Sequence, residues 1–423
     1  MKKTLVALAV AAFASSASAL TVYEKDGSKV DFEGSIRLRL EQNSTKYKYK
    51  DVAETKKSAD KRAHSNLHND GTRFQIKAKH ELSEDLFAVG RLEFRFNGSP
   101  KNTDQFGELY ANRAYVGLGS KTFGTVTFGR QETIGDDIAQ AGFDKAYGVF
   151  DTTLTTSGKA VIRYDYTGVE GLQVGLGYRF AEDRTSKDSL EVEKKALEDA
   201  VSKAQLALLA AKAKEVTSTY PQANKDADVA NAQTSFEKAQ NASASGVLGE
   251  IPNGKLKNGY DFGVVYTFDV ADAQSVTVAT GYSRDNFVSA TSRRAHKDAW
   301  ASGVSYKVQD LTLAADYAGN FARAEDAKTS RFNGFRVGAK YQVTPAVAVY
   351  TNYGHRVEKA KDAKGMTAKK TVGDKFMLGS SYQVHKSVFT YVEGGFVKEK
   401  ITEGKAVTRK TDKNIGVGLR VFW

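Results

Sequence analysis

The sequence predicts an all-β fold, a sixteen-stranded antiparallel transmembrane β-barrel. After the first 19 residues, segments of about ten residues alternate apolar side chains with polar or small ones, and this pattern repeats about sixteen times. The connections between these segments are short and long by turns. The 4 prolines fall in the connections, where a missing N–H donor does not interrupt a sheet. A strand with one apolar and one polar face suits a closed barrel with lipid outside and water inside.

The N-terminus predicts export from the cytoplasm. Lys2 and Lys3 precede an apolar run from Leu5 to Phe13, and small residues follow up to Ala19. This order is typical of a cleavable signal peptide, so we expect a signal peptide over 1–19 and a barrel domain over 20–423. A membrane anchor would need ~20 apolar residues, which is more than this run supplies.

The alternation places the sixteen strands in order. We expect them at 34–43, 71–82, 85–97, 112–119, 124–130, 159–167, 172–180, 259–268, 274–283, 297–307, 310–319, 332–342, 346–355, 374–384, 387–398 and 413–423. Long connections are then expected at 44–70, 98–111, 131–158, 181–258, 284–296, 320–331, 356–373 and 399–412. Long loops at one end and short turns at the other are typical of barrels of the bacterial outer membrane.

The same alternation assigns each strand a lipid face and a water face. In the first strand Ile36, Leu38 and Leu40 face lipid, whereas Arg37 and Arg39 face water. An arginine or lysine at the middle of the bilayer would cost ~2–4 kcal/mol, so the basic residues of the strands must point inward. The basic residues that we expect on the inner wall are Arg37, Arg39, Arg73, Lys77, Arg91, Arg95, Lys159 and Arg163.

The segment 181–258 differs from the other connections. It is rich in Ala, Leu, Glu and Lys, and Leu190, Leu197, Ala204 and Ala211 recur seven residues apart. This spacing predicts a helix, and a weaker pattern follows Pro221. We therefore expect a helical hairpin over 188–242, inserted in the fourth extracellular loop; the alternative is a disordered loop.

Several short motifs, taken together, resemble those of the trimeric general-diffusion porins of Gram-negative outer membranes. They are Val22 to Gly27 followed by Val30 to Gly34, Arg73-Phe74, Tyr115 to Leu118, Phe123-Gly124 with Phe128 to Arg130, and the aromatic C-terminus. The resemblance covers nearly the whole mature chain. It implies sixteen strands, a homotrimer, and passive diffusion of small hydrophilic solutes and ions, with no enzymatic activity and no cofactor.

The resemblance also implies where the pore narrows. In such porins the third loop folds into the barrel and sets its carboxylates against arginines and lysines of the opposite wall. Here that loop, 131–158, contains the constriction acids Glu132, Asp136, Asp137 and Asp144. The loop lacks the usual Pro-Glu-Phe-Gly-Gly motif, and Asn112 stands where an arginine often lies. We expect weak anion preference or near neutrality.

The last strand of such porins also serves as an assembly signal for the outer-membrane insertion machinery. The residues that would carry this signal here are Tyr391, Val417, Leu419, Val421 and Trp423. The alternative role of these residues is simple anchoring in the membrane interface.

Composition indicates the remaining partners. The formal net charge of +12 suits contact with lipopolysaccharide and other outer-membrane lipid, whereas the basic residues are too dispersed for a nucleic-acid site. His64 and His68 lie in a lysine-rich loop without helical signals, so we expect no metal site. Three other functions stay open: an outer-membrane enzyme, a surface-binding protein that uses the helical insertion, and a solute-specific porin.

Overall fold

The computed structural model describes residues 19–50, 60–62, 65–96, 106–150, 152–182, 187–217, 221–245, 256–287, 295–324, 327–361 and 366–423. The predicted signal peptide lies outside these residues except for its last position. The strands are β1 (Leu20–Lys25), β2 (Ser28–Lys50), β3 (Asp60–Arg62), β4 (Asn66–Asn69), β5 (Arg73–Glu81), β6 (Leu86–Phe96), β7 (Leu109–Ser120), β8 (Gly124–Glu132), β9 (Ser157–Tyr166), β10 (Leu172–Arg179), β11 (Leu256–Ala271), β12 (Gln274–Phe287), β13 (Ala295–Val308), β14 (Leu311–Ala324), β15 (Ala327–Thr344), β16 (Val347–Lys361), β17 (Thr367–His385), β18 (Val388–Glu403) and β19 (Ala406–Phe422).

Sixteen of these strands form a closed antiparallel ring. From β5 to β19 each strand pairs with the next, and β2 pairs with β5 on one side and with β19 on the other. The C-terminus completes the closure, because the Trp423 N–H donates to the Gly34 carbonyl at 3.1 Å and the Gly34 N–H donates back at 3.0 Å. The short strands β1, β3 and β4 pair with β2 beside this ring. The sixteen-stranded antiparallel barrel predicted from the sequence is confirmed.

The two faces of the strands follow the predicted alternation. On β19 the outward residues Ile415, Val417 and Leu419 are 55%, 52% and 49% exposed, whereas the intervening Gly416 and Gly418 are buried. An exposed row of large apolar side chains is the surface that a strand presents to lipid.

Two of the predicted long loops, 320–331 and 399–412, are wrong, because strands occupy most of them. Only residues 325 and 326 separate β14 from β15, and only Gly404 and Lys405 separate β18 from β19; the expected loop 44–70 also begins later, because β2 runs to Lys50. The extra strand segments consist mainly of polar and charged residues. Beyond the bilayer a strand needs no apolar face, so apolar periodicity does not detect such extensions.

The segment between β10 and β11 contains two helices, α1 (Lys187–Ala213) and α2 (Gln222–Ser245). The helices contact each other, and the Lys214 Nζ lies 2.6 Å from the Asp228 Oδ2 across the connection between them. Leu208 and Ala211 of α1 are buried. Among the described residues, no helix combines the length and apolarity needed to cross a bilayer.

Candidate functional site

The loop between β8 and β9 lies inside the barrel. This segment, 133–156, is here called the lumen loop, and all of it except residue 151 is described. It begins with a short 3-10 helix, Ile134–Asp136, whose first turn is capped by the Thr133 Oγ1 accepting the Gly135 N–H at 3.2 Å. Its main chain and side chains contact the inner faces of strands β12 to β19 and of β2. The third loop therefore folds inward, as the resemblance to porins implies.

The first part of the lumen loop packs against small residues of the inner wall, whose glycines, Gly263 and Gly281, are here called the glycine bed. Ile134 and Ile138 are fully buried, each 0% exposed. A Cβ atom added at Gly263 would lie 2.6 Å from the Ile134 Cγ1, and one added at Gly281 would lie 2.9 Å from the Ile138 Cγ1. Real Cβ atoms do not approach other atoms so closely, so a larger residue at either glycine would displace the loop. The alanines of the same apolar cluster are Ala279, Ala299 and Ala301.

A buried glutamate on β18 holds the tip of the loop. The Glu393 carboxylate is 1% exposed and accepts the backbone N–H groups of Lys145, Ala146 and Tyr147, the latter two at 2.8 and 3.0 Å. The Tyr350 hydroxyl donates to the same carboxylate at 2.8 Å. Hydrogen bonds to an ionised acceptor are about twice as strong as neutral ones, so this carboxylate is a firm anchor for the loop.

A second carboxylate, on β14, holds the middle of the loop. Asp316 accepts the backbone N–H groups of Gln140 and Ala141, both at 2.8 Å. On β15 the Arg336 Nη2 lies 2.6 Å from the Asp316 Oδ2 and neutralises this carboxylate. The Arg336 Nη1 donates to the Phe150 carbonyl at 3.0 Å. The loop is therefore fixed to the wall at two carboxylates on strands far from its own stem.

The opposite wall carries a group of arginines around one glutamate. Glu93 on β6 is 1% exposed. Four guanidinium groups lie within 4 Å of its carboxylate, those of Arg95 at 2.6 Å, Arg113 at 2.9 Å, Arg91 at 3.1 Å and Arg73 at 3.9 Å. The strand register brings them together, because Arg73 lies directly opposite Arg95 and both point inward. One carboxylate thus faces four guanidinium groups.

Sequence reasoning missed Arg113 and concentrated on Asn112. The β6–β7 pairing shifts register between Glu93 and Phe94, so the Asn112 Nδ2 and the Arg113 Nη1 both donate to Glu93, at 2.8 and 2.9 Å. Arg113 supplies the charge that the resemblance implied at the neighbouring position. A signal for it was available in the sequence, because Val116 belongs to the lipid face and strict alternation then places position 113 on the inner face.

A second basic group surrounds Asp70, between β4 and β5. Its carboxylate lies 2.6 Å from the Arg39 Nη1 and 2.8 Å from the Arg420 Nη2, and it accepts the Tyr391 hydroxyl at 2.7 Å. Arg37 lies directly opposite Arg420 in the register of β2 and β19. Sequence analysis singled out neither Arg420 nor Asp70 as a site residue.

The four predicted constriction acids fall into two pairs. Glu132 contacts Arg113, and Asp137 lies 2.7 Å from the Arg163 Nη2, so both are neutralised by the adjacent wall. Asp136 and Asp144 form no ion pair within the described part of the chain. Enclosure by the surrounding protein raises the pKa of both carboxyl groups, and the Asp137 carboxylate raises the pKa of Asp136 further.

The remaining predicted wall residues lie apart from these groups. Lys77 is buried and lies 2.8 Å from the Glu33 carboxylate. The Lys159 side chain is exposed at the start of β9, where the Lys159 N–H donates to Glu182. Tyr391, which we expected in an assembly signal, is 2% exposed and points into the lumen, where it packs across Gly418. Among the described residues, no group of side chains could hold a metal ion.

Comparison with known proteins agrees with this architecture. A family model described as Gram-negative porin matches residues 4–402. A major outer membrane protein of Pasteurella multocida is 40% identical over 193 residues, which is 43% of this chain and 50% of that protein. The chain thus spans about half the length of the curated relatives it matches.

Two solved structures share the fold over nearly the whole chain. OmpT of Vibrio cholerae in its trimer form is 18% identical with a TM-score of 0.55, covering 94% of this chain and 100% of that one. An anion-selective porin from Comamonas acidovorans is 14% identical with a TM-score of 0.57, covering 94% of this chain and 100% of that one. From its sequence match and its barrel, the chain is an outer-membrane protein that belongs to the Gram-negative porin family.

Proposed function

We propose that the protein forms a water-filled channel for passive diffusion of small hydrophilic solutes and ions across the outer membrane. The observation that carries this proposal is the lumen loop, which crosses the barrel interior opposite a wall of arginines and leaves charged groups facing water. Opposite charges across a narrow aqueous gap between low-dielectric walls create a transverse field, which orients and sieves polar solutes. The porin family to which the chain belongs supports a channel rather than an enzyme.

The charges of the site favour anions weakly. The clusters around Glu93 and Asp70 contain more guanidinium groups than carboxylates, and two of the four loop acids are already paired with wall arginines. The excess positive charge therefore lies on the wall, partly offset by Asp136 and Asp144. We infer a modest preference for anions at neutral pH.

Single-channel recording on the purified, heat-modifiable oligomer tests the proposal. We expect large ohmic conductance and, under a KCl gradient, a reversal potential displaced modestly toward that of chloride. Bilayers that stay silent, or vesicles that remain sealed to sugars, would contradict the channel. Saturable transport with a graded preference for one sugar or for phosphate would instead indicate a solute-specific porin.

Acidification will increase the anion preference. The pKa values of Asp136 and Asp144 are raised, so these carboxylates lose their charge at a higher pH than a free aspartate, whose pKa is about 3.9. The wall arginines stay charged throughout this range. We expect the reversal potential to move toward that of chloride as the pH falls from about 7 to about 4. The variant Asp136→Asn with Asp144→Asn should start at the shifted value and respond less to pH, and an equal response in both proteins would refute the assignment.

Helices α1 and α2 support a second role, in binding at the cell surface. They form a separate helical unit between β10 and β11 and contain none of the residues of the two arginine groups or of the lumen loop. We expect deletion of residues 188–245 to leave conductance and heat-modifiability unchanged while abolishing binding to host surfaces, phage or antibody. Loss of the pore in this variant would show that the insertion supports the barrel.

The partners follow from the same proposal. The protein would assemble as a homotrimer, which is supported by the trimer form of the structurally similar OmpT. The outward residues Val417, Leu419 and Val421 and the C-terminal Trp423 remain our candidates for the signal read by the insertion machinery. Chemical crosslinking of the detergent-purified protein should trap a trimer, and a monomer alone would contradict this assembly.

A further inference from the structure

Helices α1 and α2 form a hairpin that packs on itself. Within the described part of the chain, each helix contacts mainly the other helix and not the strands of the barrel. The buried and half-buried apolar residues recur every three or four positions, so they lie on one side of each helix. They are Val201, Ala204, Leu208 and Ala211 of α1 and Val229, Ala232 and Phe236 of α2. The opposite side of each helix therefore faces outward from the hairpin.

The outward side of α1 carries a second apolar stripe. Leu206 and Leu209 are 66% and 55% exposed, and Ala210 and Ala213 are exposed as well. These four positions, here called the leucine stripe, have the spacing i, i+3, i+4 and i+7 of a helix face that packs against another element. The stripe belongs to a long connection and not to the membrane-spanning strands, so the lipid band of the barrel does not cover it.

The outward side of α2 has the complementary shape. Ala223, Ala227, Ala230 and Thr234 are exposed and recur at helical spacing, and they are here called the alanine stripe. The Thr234 hydroxyl donates to the Ala230 carbonyl at 2.9 Å, so its hydrogen bond is satisfied within the helix. Large side chains on one helix pack well against small ones on its partner. The alanine stripe therefore fits a helix that presents leucines.

The two stripes also match in charge. Lys212 borders the leucine stripe and Asp226 borders the alanine stripe, and both side chains are exposed. In the heptads that place the two stripes at positions a and d, both residues occupy position g, where ion pairs between packed helices form. Within the described residues neither of them forms an ion pair, unlike Lys214 and Asp228 nearby. A basic border on one stripe thus faces an acidic border on the other when the helices pack antiparallel.

The geometry of the hairpin brings the stripes of two copies to the same level. Helix α1 leads away from β10 and α2 leads back to β11, so α1 of one copy runs antiparallel to α2 of a neighbour in the same membrane. Both stripes begin beside the connection between the helices, and they extend about 10 Å and about 16 Å along α1 and α2. Because the stripes lie on opposite sides of one hairpin, they cannot contact each other within a single chain.

We propose that the leucine stripe of one copy docks onto the alanine stripe of a second copy of this chain. Such a contact is heterologous, because two different surfaces of the same protein meet. The contact is short, so it depends on barrels that hold the copies side by side and thereby raise the effective concentration of the hairpins. The inference rests on the oligomer proposed above and does not depend on channel activity.

Disulfide formation between copies tests the proposal. The chain contains no cysteine, so Leu209→Cys with Ala230→Cys introduces one thiol in each stripe and no other. These positions lie on opposite sides of a hairpin, so a disulfide between them joins two copies. We expect mild oxidation of outer membranes to give covalent oligomers on non-reducing gels. The matched control, Ala207→Cys with Ser235→Cys, uses exposed positions of the same helices outside both stripes and should give none.

Further substitutions in the stripe variant distinguish docking from random collision. Leu206→Gln with Ala213→Gln removes apolar contact area and should slow disulfide formation about tenfold. Lys212→Glu places two carboxylates at the border of the stripes and should slow it about threefold, and adding Asp226→Lys should restore the rate. All of these side chains are exposed, so the hairpin should tolerate the changes. Heat-modifiability on gels verifies that each barrel is folded.

Four results would overturn the proposal. If a chemical crosslinker traps the trimer but the stripe variant forms no disulfide between copies, the contact is refuted and the oligomer is not. A protein that crosslinks only as a monomer refutes both. Equal disulfide yields in the stripe variant and the matched control would indicate random collision. If Leu206→Gln with Ala213→Gln abolishes binding to host surfaces or phage and leaves the disulfide rate unchanged, the leucine stripe binds a foreign protein instead.

Discussion

Replacing both Asp316 and Glu393 by alanine will release the lumen loop and raise the single-channel conductance. These two carboxylates accept five backbone N–H groups of the loop. Hydrogen bonds to a charged acceptor contribute about 1.5–3 kcal/mol each, so their joint loss removes most of the anchoring free energy of the loop tip. We expect larger and more variable conductance levels, and faster entry of larger sugars into vesicles.

The control for this experiment removes two carboxylates that do not contact the loop. Glu403 and Asp412 on β18 and β19 pair with nearby lysines of the barrel wall. Their replacement by alanine changes the net charge equally, so the conductance should stay near that of the unmodified protein. Unchanged conductance in the Asp316→Ala, Glu393→Ala variant would mean that apolar packing alone, of Ile134 and Ile138 against the small residues of the wall, holds the loop in place. Gly281→Leu, which places a side chain where the loop packs, would then be the decisive variant.

Replacing Glu93 by alanine will destabilise the barrel strongly. Glu93 is the carboxylate shared by Arg73, Arg91, Arg95 and Arg113. Breaking a buried ion pair by removing one partner typically costs about 3–5 kcal/mol, because the remaining charge is left uncompensated. The urea concentration at the midpoint of unfolding should therefore fall clearly.

Two further variants separate charge from packing at this position. Glu93→Gln retains the shape and some hydrogen bonds, so it should lose less stability than Glu93→Ala while shifting the reversal potential toward that of chloride. Adding Arg95→Gln to Glu93→Gln removes one of the unpaired cations and should restore part of the lost stability. If Glu93→Ala unfolds at the same urea concentration as the unmodified protein, water in the lumen screens these arginines, and the cluster contributes little to stability.

The face on which the arginines of the candidate site lie could be predicted, because an arginine on a membrane-spanning strand can point only toward the lumen. A lipid-facing arginine is so costly that Arg37, Arg73 and Arg95 had to point inward, whatever the details of packing. Their counterions could not be predicted in the same way. Glu93 and Asp70 are two of many acidic residues in the chain, and only the register shows which of them meets the arginines.

The two failures of prediction have different causes. The extended ends of β2, β14, β15, β18 and β19 lie beyond the apolar band, where alternation of apolar residues no longer reports the extent of a strand. At Glu93 the register shift between β6 and β7 brings both Asn112 and Arg113 to one carboxylate, and alternation within β7 does not show this partner. Strand extension in water depends on pairing with the neighbour, and a register shift changes which two residues share a face.

The sequence by itself determined the number of barrel strands, the lipid and water faces of each strand, and the sign of the charge on the inner wall. These properties depend on local alternation and on the free energy of placing each side chain in lipid or water. Tertiary structure alone decided which inward groups meet. Asp70 and Arg420 are 350 residues apart and become neighbours only when β19 closes on β2. The path of the lumen loop likewise requires the assembled wall, because its anchors at Asp316 and Glu393 and its glycine bed come from strands that are not adjacent to its stem.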